Sequence, residues 1–285
     1  MQINGRTKTC GLIGNPVEHT LSPVIHNNLA ELTGINMVYV PFKVENEVLS
    51  EAIKGAQALE IGGLNVTVPH KERVMPYLKE IDALAGKIGA VNTLVPCEGG
   101  YKGYNTDMPG LYRAMLSDGI RVDGENVILL GAGGVARAVA VMLAEKVEKI
   151  YILNRTVEKA EAIAQEVNGY ADREVAVAMA LSEYDKLPAG KYLAVQATNI
   201  GMYPKTEEAV VEDKAFYEKI HTAYDLIYNP ADTRFMQLVK EAGGSAFNGL
   251  KMLLYQGIIA YELWNNISIS EVQAEEIYTR LKEKL

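Results

Sequence analysis

A run of small residues, Gly131-Ala132-Gly133-Gly134-Val135-Ala136, constrains the fold more than any other feature of the chain. It follows an apolar stretch at 126–130, which predicts a buried strand, and it leads into residues 135–146, which predict a helix. Between a strand and a helix, the spacing G-x-G-x-x-G/A is typical of a Rossmann-type dinucleotide-binding unit. The first glycine permits the tight turn, the next lets the backbone approach a pyrophosphate, and the final alanine lets the helix pack on the strand. The sequence therefore predicts a phosphate-binding loop at a helix N-terminus.

The next predicted strand is 149–153. The residues that follow this strand discriminate between two cofactors. NAD sites usually place an Asp or Glu there, against the ribose 2′-hydroxyl. This chain has Asn154-Arg155-Thr156 instead, with no acid at the strand end. An arginine fork suits a 2′-phosphate, so the sequence favours NADP. The alternative is that Arg155 is an ordinary surface arginine.

Strand-like and helix-like segments alternate along the chain, which predicts an α/β fold with parallel sheets and crossover helices. The 285 residues are 48% hydrophobic and 22% charged, which is globular in composition and near the upper limit for one core. Two series of segments, separated near Asp107, predict two domains. Ser22 and Thr156 are the predicted N-caps of two helices. The predicted strands lie at 10–14, 37–44, 63–68, 93–95, 101–104, 126–130, 149–153, 174–178, 193–197, 222–227 and 245–247. The predicted helices lie at 22–34, 45–59, from about 72, and at 109–117, 135–146, 157–167, 233–242, 249–264 and 270–284.

Four polar clusters in the first half fall at or just beyond predicted strand ends, where open α/β sheets bind ligands. They offer hydroxyls, amides, one ammonium and one carboxylate, which suits a small polyol that carries a carboxylate. Each has a structural alternative: Ser22 and Asp107 as helix caps, Asn65 and Thr67 as outward residues of an edge strand, Lys71 as a solvated lysine. The clusters are Thr20-Leu21-Ser22-Pro23, Asn65-Val66-Thr67-Val68-Pro69-His70-Lys71, Val91-Asn92-Thr93 and Asn105-Thr106-Asp107.

Charge and composition disfavour other classes of protein. A net charge of −8 disfavours a nucleic-acid surface, which needs a basic face. Two distant cysteines, Cys10 and Cys97, indicate a reduced, cytosolic protein, and residues 1–8 lack the apolar region of a signal peptide. The apolar stretch 127–144 is cut by glycines and Arg137, so no membrane partner is expected. The histidines show no metal-ligand spacing, so no metal is expected, and no G-x-S-x-G elbow occurs.

These motifs, in this order, resemble the shikimate dehydrogenase family, which includes shikimate and quinate dehydrogenases. The resemblance covers nearly the whole chain. Besides the glycine loop and the four polar clusters, it rests on Gly14-Asn15-Pro16, His26-Asn27, Gly89-Ala90, Asn154-Arg155-Thr156, Ala197-Thr198-Asn199-Ile200-Gly201-Met202, Asp225-Leu226-Ile227-Tyr228-Asn229-Pro230 and Asn248-Gly249-Leu250 through Gln256.

The resemblance implies NADP-linked, reversible reduction of 3-dehydroshikimate to shikimate, a step of aromatic amino-acid biosynthesis. It implies an N-terminal α/β substrate domain with a mainly parallel sheet, residues 1–107 plus 248–285, and a Rossmann-type NADP domain, residues 108–247. By the same resemblance Lys71 and Asp107 are catalytic and handle the proton. The implied substrate contacts are Thr20, Ser22, Asn65, Thr67, Lys71, Asn92, Asp107, Tyr228 and Gln256. The implied cofactor contacts are Gly131, Ala132, Gly133, Gly134, Val135, Asn154, Arg155, Thr156, Lys159, Leu226 and Gly249.

The sequence departs from the family at Thr20, where the family usually has serine. A quinate dehydrogenase, or an enzyme with dual specificity, is therefore the nearest alternative. A non-catalytic NADP-binding sensor is a further alternative, which the retention of both Lys71 and Asp107 disfavours. A monomer or a homodimer is expected, with a small-molecule substrate as the partner.

Overall fold

The chain divides into two compact units in a computed structural model that describes residues 3–285. The first unit runs to Gly110 and includes Leu253–Leu285, and the second is Leu111–Met252. The predicted domain boundaries, after residue 107 and before residue 248, lie a few residues from these divisions and stay a prediction. No helix within residues 3–285 combines the length and the apolar character needed to cross a bilayer.

The first unit contains a six-stranded mixed sheet with the order β2-β1-β3-β5-β6-β4. Strand β1 pairs in parallel with β2 and β3, whereas β5 is antiparallel to both β3 and β6. The turn between β5 and β6 contains Gly99 at a φ of 79°, and so short a connection leaves no room for a crossover helix. The strands are β1 Lys8–Gly14, β2 Met37–Lys43, β3 Leu64–Val66, β4 Glu80–Ile81, β5 Thr93–Cys97 and β6 Gly100–Tyr104.

The helices of this unit pack closely because glycines stand at their contacts. A Cβ at Gly257 would lie 3.0 Å from Ile25, so helices α9 and α1 approach through this position. A Cβ at Gly63 would collide with the indole of Trp264, whose Nε1 donates to the Leu94 carbonyl over 2.9 Å. The helices are α1 Ser22–Thr33, α2 Leu49–Ala58, α3 Ala83–Ile88, α9 Leu250–Asn265 and α10 Glu271–Lys282, with 3₁₀ helices at Asn46–Val48 and Met75–Tyr77, while α4 Asp107–Ser117 begins in this unit.

The helix predicted from about residue 72 is wrong. Val74 N–H donates to the His70 carbonyl and starts one helical turn, which ends in the 3₁₀ helix Met75–Tyr77. Pro76 supplies no N–H and restricts the residue before it, so an α-helix does not continue. The helix begins at α3 instead, where the Asp82 carboxylate caps the Leu84 N–H.

The predicted cap at Ser22 is also wrong. Ser22 is the first residue of α1, after Leu21, and no side chain caps this helix. The Ser22 N–H donates to Thr20 Oγ1 over 3.2 Å, and the Thr20 hydroxyl donates to Ser22 Oγ over 3.1 Å. The two hydroxyls are therefore engaged with each other and fix the local turn.

The second unit contains a six-stranded sheet with the order β12-β11-β10-β7-β8-β9, in which every pair is parallel. Strands β8 and β9 lie on one side of β7, and strands β10, β11 and β12 lie on its other side. The loop after β7 and the loop after β10 therefore diverge, and sheets of this kind bind ligands at such a point. The strands are β7 Asn126–Leu130, β8 Lys149–Asn154, β9 Ala176–Ala180, β10 Tyr192–Gln196, β11 Ile220–Asp225 and β12 Ser245–Phe247. The helices are α5 Gly134–Leu143, α6 Val157–Ala171, α7 Lys214–Tyr217 and α8 Arg234–Glu241, with a 3₁₀ helix at Leu181–Lys186. The predicted α/β class with a Rossmann-type unit is confirmed.

Candidate functional site

The glycine loop connects β7 to α5 as the sequence predicts. Gly131 adopts a φ of 110°, and a Cβ there would lie 2.9 Å from Thr198, so both conformation and space require glycine. Around Gly133 and Gly134 an added Cβ would meet nothing within 4 Å. The N-terminus of α5 therefore opens onto free space, where its unpaired N–H groups can receive an anion.

A cavity of about 320 Å³ lies above this loop, at the divergence of the loops after β7 and β10. Two of its lining residues, Arg155 and Lys159, are cations, and none of them is a carboxylate. This charge suits phosphate groups. Thr156 is the N-cap residue of α6, as predicted, but its hydroxyl accepts from no N–H of the helix. The lining residues are Gly131, Ala132, Gly133, Asn154, Arg155, Thr156, Lys159, Ala197, Thr198 and Asn199.

A second cavity of about 490 Å³ shares Arg155 and Asn199 with the first. It is lined by the apolar side chains of Leu181, Ile200 and Val210 and also by Glu208 and Glu212. A partly apolar cavity next to the cationic one suits a flat base attached to phosphates. The sequence analysis did not select Ala197, Thr198 or Asn199 as site residues. Their position directly after a strand of the second series is the signal that points to them.

In the first unit, Lys71 and Asp107 form an ion pair with 2.7 Å between Nζ and Oδ2. The Lys71 side chain is 33% exposed and that of Asp107 is 19% exposed, so both remain within reach of a ligand. Asp107 is the first residue of α4, where the helix dipole stabilises its negative charge. The preceding residue, His70, anchors the turn that carries Lys71, because its Nε2 lies 2.7 Å from the Val44 carbonyl oxygen. The solvated-lysine alternative does not describe this geometry.

Buried amides and hydroxyls form one network beneath this pair. The Tyr39 hydroxyl donates to Asn65 Oδ1 over 2.8 Å, and Asn65 Nδ2 donates to Thr93 Oγ1 over 3.1 Å. Asn92 Oδ1 accepts from the Thr106 N–H over 2.7 Å. Strand β3 lies between β1 and β5, so the interpretation of Asn65 as an outward residue of an edge strand is wrong. Tyr39 is a member of the network that sequence reasoning missed.

The structure distributes the remaining candidates between the two units. In the first unit, Gln256 Nε2 donates to the Leu253 carbonyl over 2.8 Å. In the second unit, the Gly249 N–H donates to the Ile227 carbonyl over 3.0 Å, and a Cβ at Gly249 would collide with the Leu226 carbonyl. Leu226 and Gly249 therefore lie side by side. The further first-unit candidates are Thr20, Ser22, Thr67 and Asn92, and Tyr228 lies in the second unit.

Within residues 3–285, no group of three or more His, Cys, Asp or Glu side chains is placed to hold a metal ion. The parallel sheet, the open helix N-terminus and the cationic cavity define a Rossmann-type dinucleotide-binding protein.

Comparison with known proteins assigns the family. Residues 12–94 match the shikimate dehydrogenase substrate binding domain, and residues 115–199 match the shikimate / quinate 5-dehydrogenase family. The chain belongs to the shikimate dehydrogenase family. It is 41% identical to the shikimate dehydrogenase (NADP(+)) of Carboxydothermus hydrogenoformans over 268 residues, 94% of this chain and 95% of that protein.

Two solved structures are similar over nearly the whole chain. One is a shikimate dehydrogenase in complex with NADP⁺, with a TM-score of 0.88 and 41% identity over 99% of this chain and 97% of that one. The other is shikimate 5-dehydrogenase of Listeria monocytogenes in complex with shikimate and NAD, with a TM-score of 0.90 and 31% identity over 97% of this chain and 98% of that one.

Proposed function

We propose that this chain is an NADP-dependent shikimate dehydrogenase that reversibly reduces 3-dehydroshikimate to shikimate in aromatic amino-acid biosynthesis. The observation that carries the proposal is the Lys71–Asp107 pair, with 2.7 Å between its charged atoms, in a chain of this family. Reduction of a carbonyl requires a proton donor, and this pair offers an ammonium in a solvent-accessible position.

The cofactor proposal rests on the cavity above the glycine loop. The open N-terminus of α5 would hold the pyrophosphate. Arg155 and Lys159 would hold the 2′-phosphate, because the lining of this cavity offers two cations and no acid. When bound, NADPH supplies the hydride. The other cofactor contacts that we propose are Gly131, Ala132, Gly133, Gly134, Val135, Asn154, Thr156, Leu226 and Gly249.

The proton chemistry falls to Lys71 and Asp107. Reduction places negative charge on the substrate oxygen, and the Lys71 ammonium stabilises that charge and donates the proton. In the oxidation direction the same side chain receives the proton. Asp107 orients the ammonium through its 2.7 Å contact.

Substrate recognition is proposed for hydroxyl and amide side chains of the candidate residues. Thr20 and Ser22 would hold the substrate carboxylate, because their hydroxyls adjoin each other in the turn before α1. The ring hydroxyls of a polyol would be met by the polar side chains of the network. The proposed contacts besides Lys71 and Asp107 are Thr20, Ser22, Asn65, Thr67, Asn92, Tyr228 and Gln256.

The proposed function is tested by following NADPH formation in purified protein with shikimate as substrate. NAD in place of NADP, and quinate in place of shikimate, are run beside it. Turnover with shikimate and NADP supports the proposal. Turnover with quinate alone would establish the quinate dehydrogenase alternative, and NADP binding without turnover of either acid would establish the sensor alternative.

A cytosolic location and a monomeric or homodimeric state complete the proposal. Cys10 and Cys97 are both free thiols, which agrees with a reducing compartment. Sedimentation at several concentrations discriminates between the monomer and the homodimer.

A further inference from the structure

Two neighbouring strands of the second unit end in polar side chains that are fully buried. Gln196 ends β10 and Asp225 ends β11, and the two residues are partners in the parallel register. Both are 0% exposed, and so is Thr233, the residue before α8. The rest of this sheet interior is apolar, so three polar side chains at one point require an explanation.

Gln196 closes the loop that follows its own strand. Its Oε1 accepts from the Thr198 N–H, and its Nε2 donates to the Ile200 carbonyl over 3.1 Å. The same Nε2 lies 3.3 Å from Asp225 Oδ1, so one amide contacts both strand ends. The loop at 197–201 therefore depends on the side chain of Gln196.

Asp225 does the same for the loop after β11. Its Oδ1 accepts from the Ile227 N–H over 3.0 Å, and its Oδ2 accepts from the Thr233 hydroxyl over 2.6 Å. Thr233 Oγ1 in turn accepts from the Met236 N–H over 3.3 Å and so caps α8. The two ends of the loop at 226–233 are thereby tied to one carboxylate.

These loops carry candidates for the dinucleotide site. Thr198 and Asn199 line the cavity above the glycine loop. Leu226 and Tyr228 lie in the loop after β11, and Gly249 contacts this loop through the Ile227 carbonyl. The Gln196–Asp225 contact is therefore a direct link between two loops of the proposed site.

Burial of the ionised Asp225 carboxylate costs free energy. Burial raises the pKa of Asp225 from 3.8 to about 6, although three hydrogen bonds to its oxygens act in the opposite direction. An apolar residue would fill the same place without that cost. The hydrogen bonds to the two loops are what a carboxylate supplies there and an apolar side chain does not.

We propose that Gln196, Asp225 and Thr233 form a positioning cluster that holds the loops at 197–201 and 226–233 in one arrangement, and so keeps the dinucleotide cavity that Thr198 and Asn199 line in the shape that binds. The part of this inference that concerns the dinucleotide rests on the proposed function. Breaking the cluster is therefore expected to weaken the binding of NADP.

The test breaks the Thr233–Asp225 hydrogen bond from either side. Thr233→Val removes the hydroxyl at nearly constant volume, and Asp225→Asn replaces the acceptor oxygen by an amide group. Thr233→Ser is the matched control, because it keeps the hydroxyl. Ser270→Ala removes a helix cap of the same kind from α10 in the first unit and reports what the loss of a cap alone does.

In binding titrations we expect Thr233→Val and Asp225→Asn each to raise the Kd for NADP by at least about tenfold, since a cavity that is not held in its binding shape must be ordered when the ligand binds. The double variant is expected to bind no more weakly than Asp225→Asn alone, because that substitution already breaks the bond that Thr233→Val removes. Thr233→Ser is expected to keep the wild-type Kd. A lower Tm with an unchanged Kd for NADP, as we expect for Ser270→Ala, would overturn the assignment.

Amide hydrogen exchange tests the cluster without reference to turnover. In Thr233→Val we expect faster exchange in both loops, at 197–201 and at 226–233, even though the substitution lies in only one of them. Faster exchange at 226–233 alone would overturn the coupling. If the wild-type protein did not oxidise shikimate, the proposed function would fail, while this readout would still decide whether the cluster joins the loops.

Discussion

Lys71 Nζ lies 2.7 Å from Asp107 Oδ2, and this distance joins the turn after β3 to the first residue of α4. The two residues are 36 positions apart in the chain. The segment between them forms the three strands β4, β5 and β6, the short helix α3 and a 3₁₀ helix, and its folding brings an ammonium to a carboxylate at the end of the sheet. Neither side chain is deeply buried, so the pair remains accessible to a substrate.

Asp107→Asn keeps the shape of the side chain and removes its charge. Lys71 then loses its orienting partner, and we expect kcat for shikimate to fall at least about tenfold, since small errors in the position of a reacting group are costly. The matched control is Asp118→Asn, which disrupts the partly buried Lys251–Asp118 pair, 2.6 Å long, neither member of which is a proposed contact. We expect the control to lower Tm and leave kcat unchanged. Equal kcat values in Asp107→Asn and the wild type would remove Asp107 from the mechanism.

Arg155→Ala tests the choice of cofactor. Only NADP carries the 2′-phosphate, so we expect KM to rise far more for NADP than for NAD. The loss of a charge-assisted contact of about 1.5–3 kcal/mol corresponds to roughly ten- to over a hundredfold. Arg121→Ala, at an exposed arginine outside both cavities, is the control. A similar rise for both cofactors would show that Arg155 supports the loop instead of selecting the phosphate.

We predict that Thr20 makes the enzyme prefer shikimate to quinate. Its hydroxyl is engaged with Ser22, which fixes the direction of its methyl group. Quinate carries an extra hydroxyl beside its carboxylate, and burial of a polar group without a partner costs about 1–3 kcal/mol. We expect kcat/KM to favour shikimate by at least about tenfold.

Two substitutions separate size from hydrogen bonding at Thr20. Thr20→Ser removes only the methyl and Thr20→Gly removes the whole side chain, and both should narrow the preference for shikimate. Comparable kcat/KM values for the two acids in the wild type would contradict the steric argument and indicate dual specificity.

Asp225 gives the stability of the protein a dependence on pH. Its pKa is about 6 in the folded protein, raised by burial from an ordinary value of 3.8. Between these values the folded chain holds a proton that the unfolded chain has lost, so this group's contribution to the free energy of unfolding falls as pH rises, by about 1.4 kcal/mol per pH unit. Above about pH 6 both states are ionised and the contribution is constant. The nearby Tyr217 phenol stays neutral throughout, because burial raises its pKa further.

Denaturant unfolding of the wild type and Asp225→Asn between about pH 4 and pH 7 measures this contribution as a difference. We expect the difference in unfolding free energy to change with pH below about 6 and to level off above it. Asp123→Asn, at an exposed carboxylate, serves as the control. A difference that is constant over the whole range would contradict the raised pKa.

Local patterns predict those parts of the fold that depend on neighbouring residues. The strand, glycine loop and helix around Gly131 are continuous in sequence, so spacing and composition were sufficient there. No α-helix forms from about residue 72, because the single turn that starts at His70 is followed by Pro76, which cannot continue the helical hydrogen bonds. The antiparallel pairing of β5 with β6 was missed because alternation alone does not distinguish a hairpin from a crossover.

Contacts between distant segments account for what the sequence did not predict in the site. Tyr39 contacts Asn65 because β1 lies between β2 and β3. The hydrophobic periodicity of the sequence does not reveal this order of strands. Thr198 reaches the glycine loop because β10 pairs with β7 across a long separation in the chain. The resemblance to a family supplied the role of Lys71, whose type and spacing alone fit a solvated lysine equally well.

The most direct measurement is kcat for shikimate oxidation with NADP in Lys71→Ala, beside the wild type and Lys54→Ala, an exposed lysine of α2. We expect Lys71→Ala to lower kcat by about a hundred- to ten-thousandfold, while its Tm and its Kd for NADP stay near the wild-type values. We expect wild-type kinetics for Lys54→Ala. A Lys71→Ala protein with near-normal kcat would contradict the assignment of proton transfer to this residue.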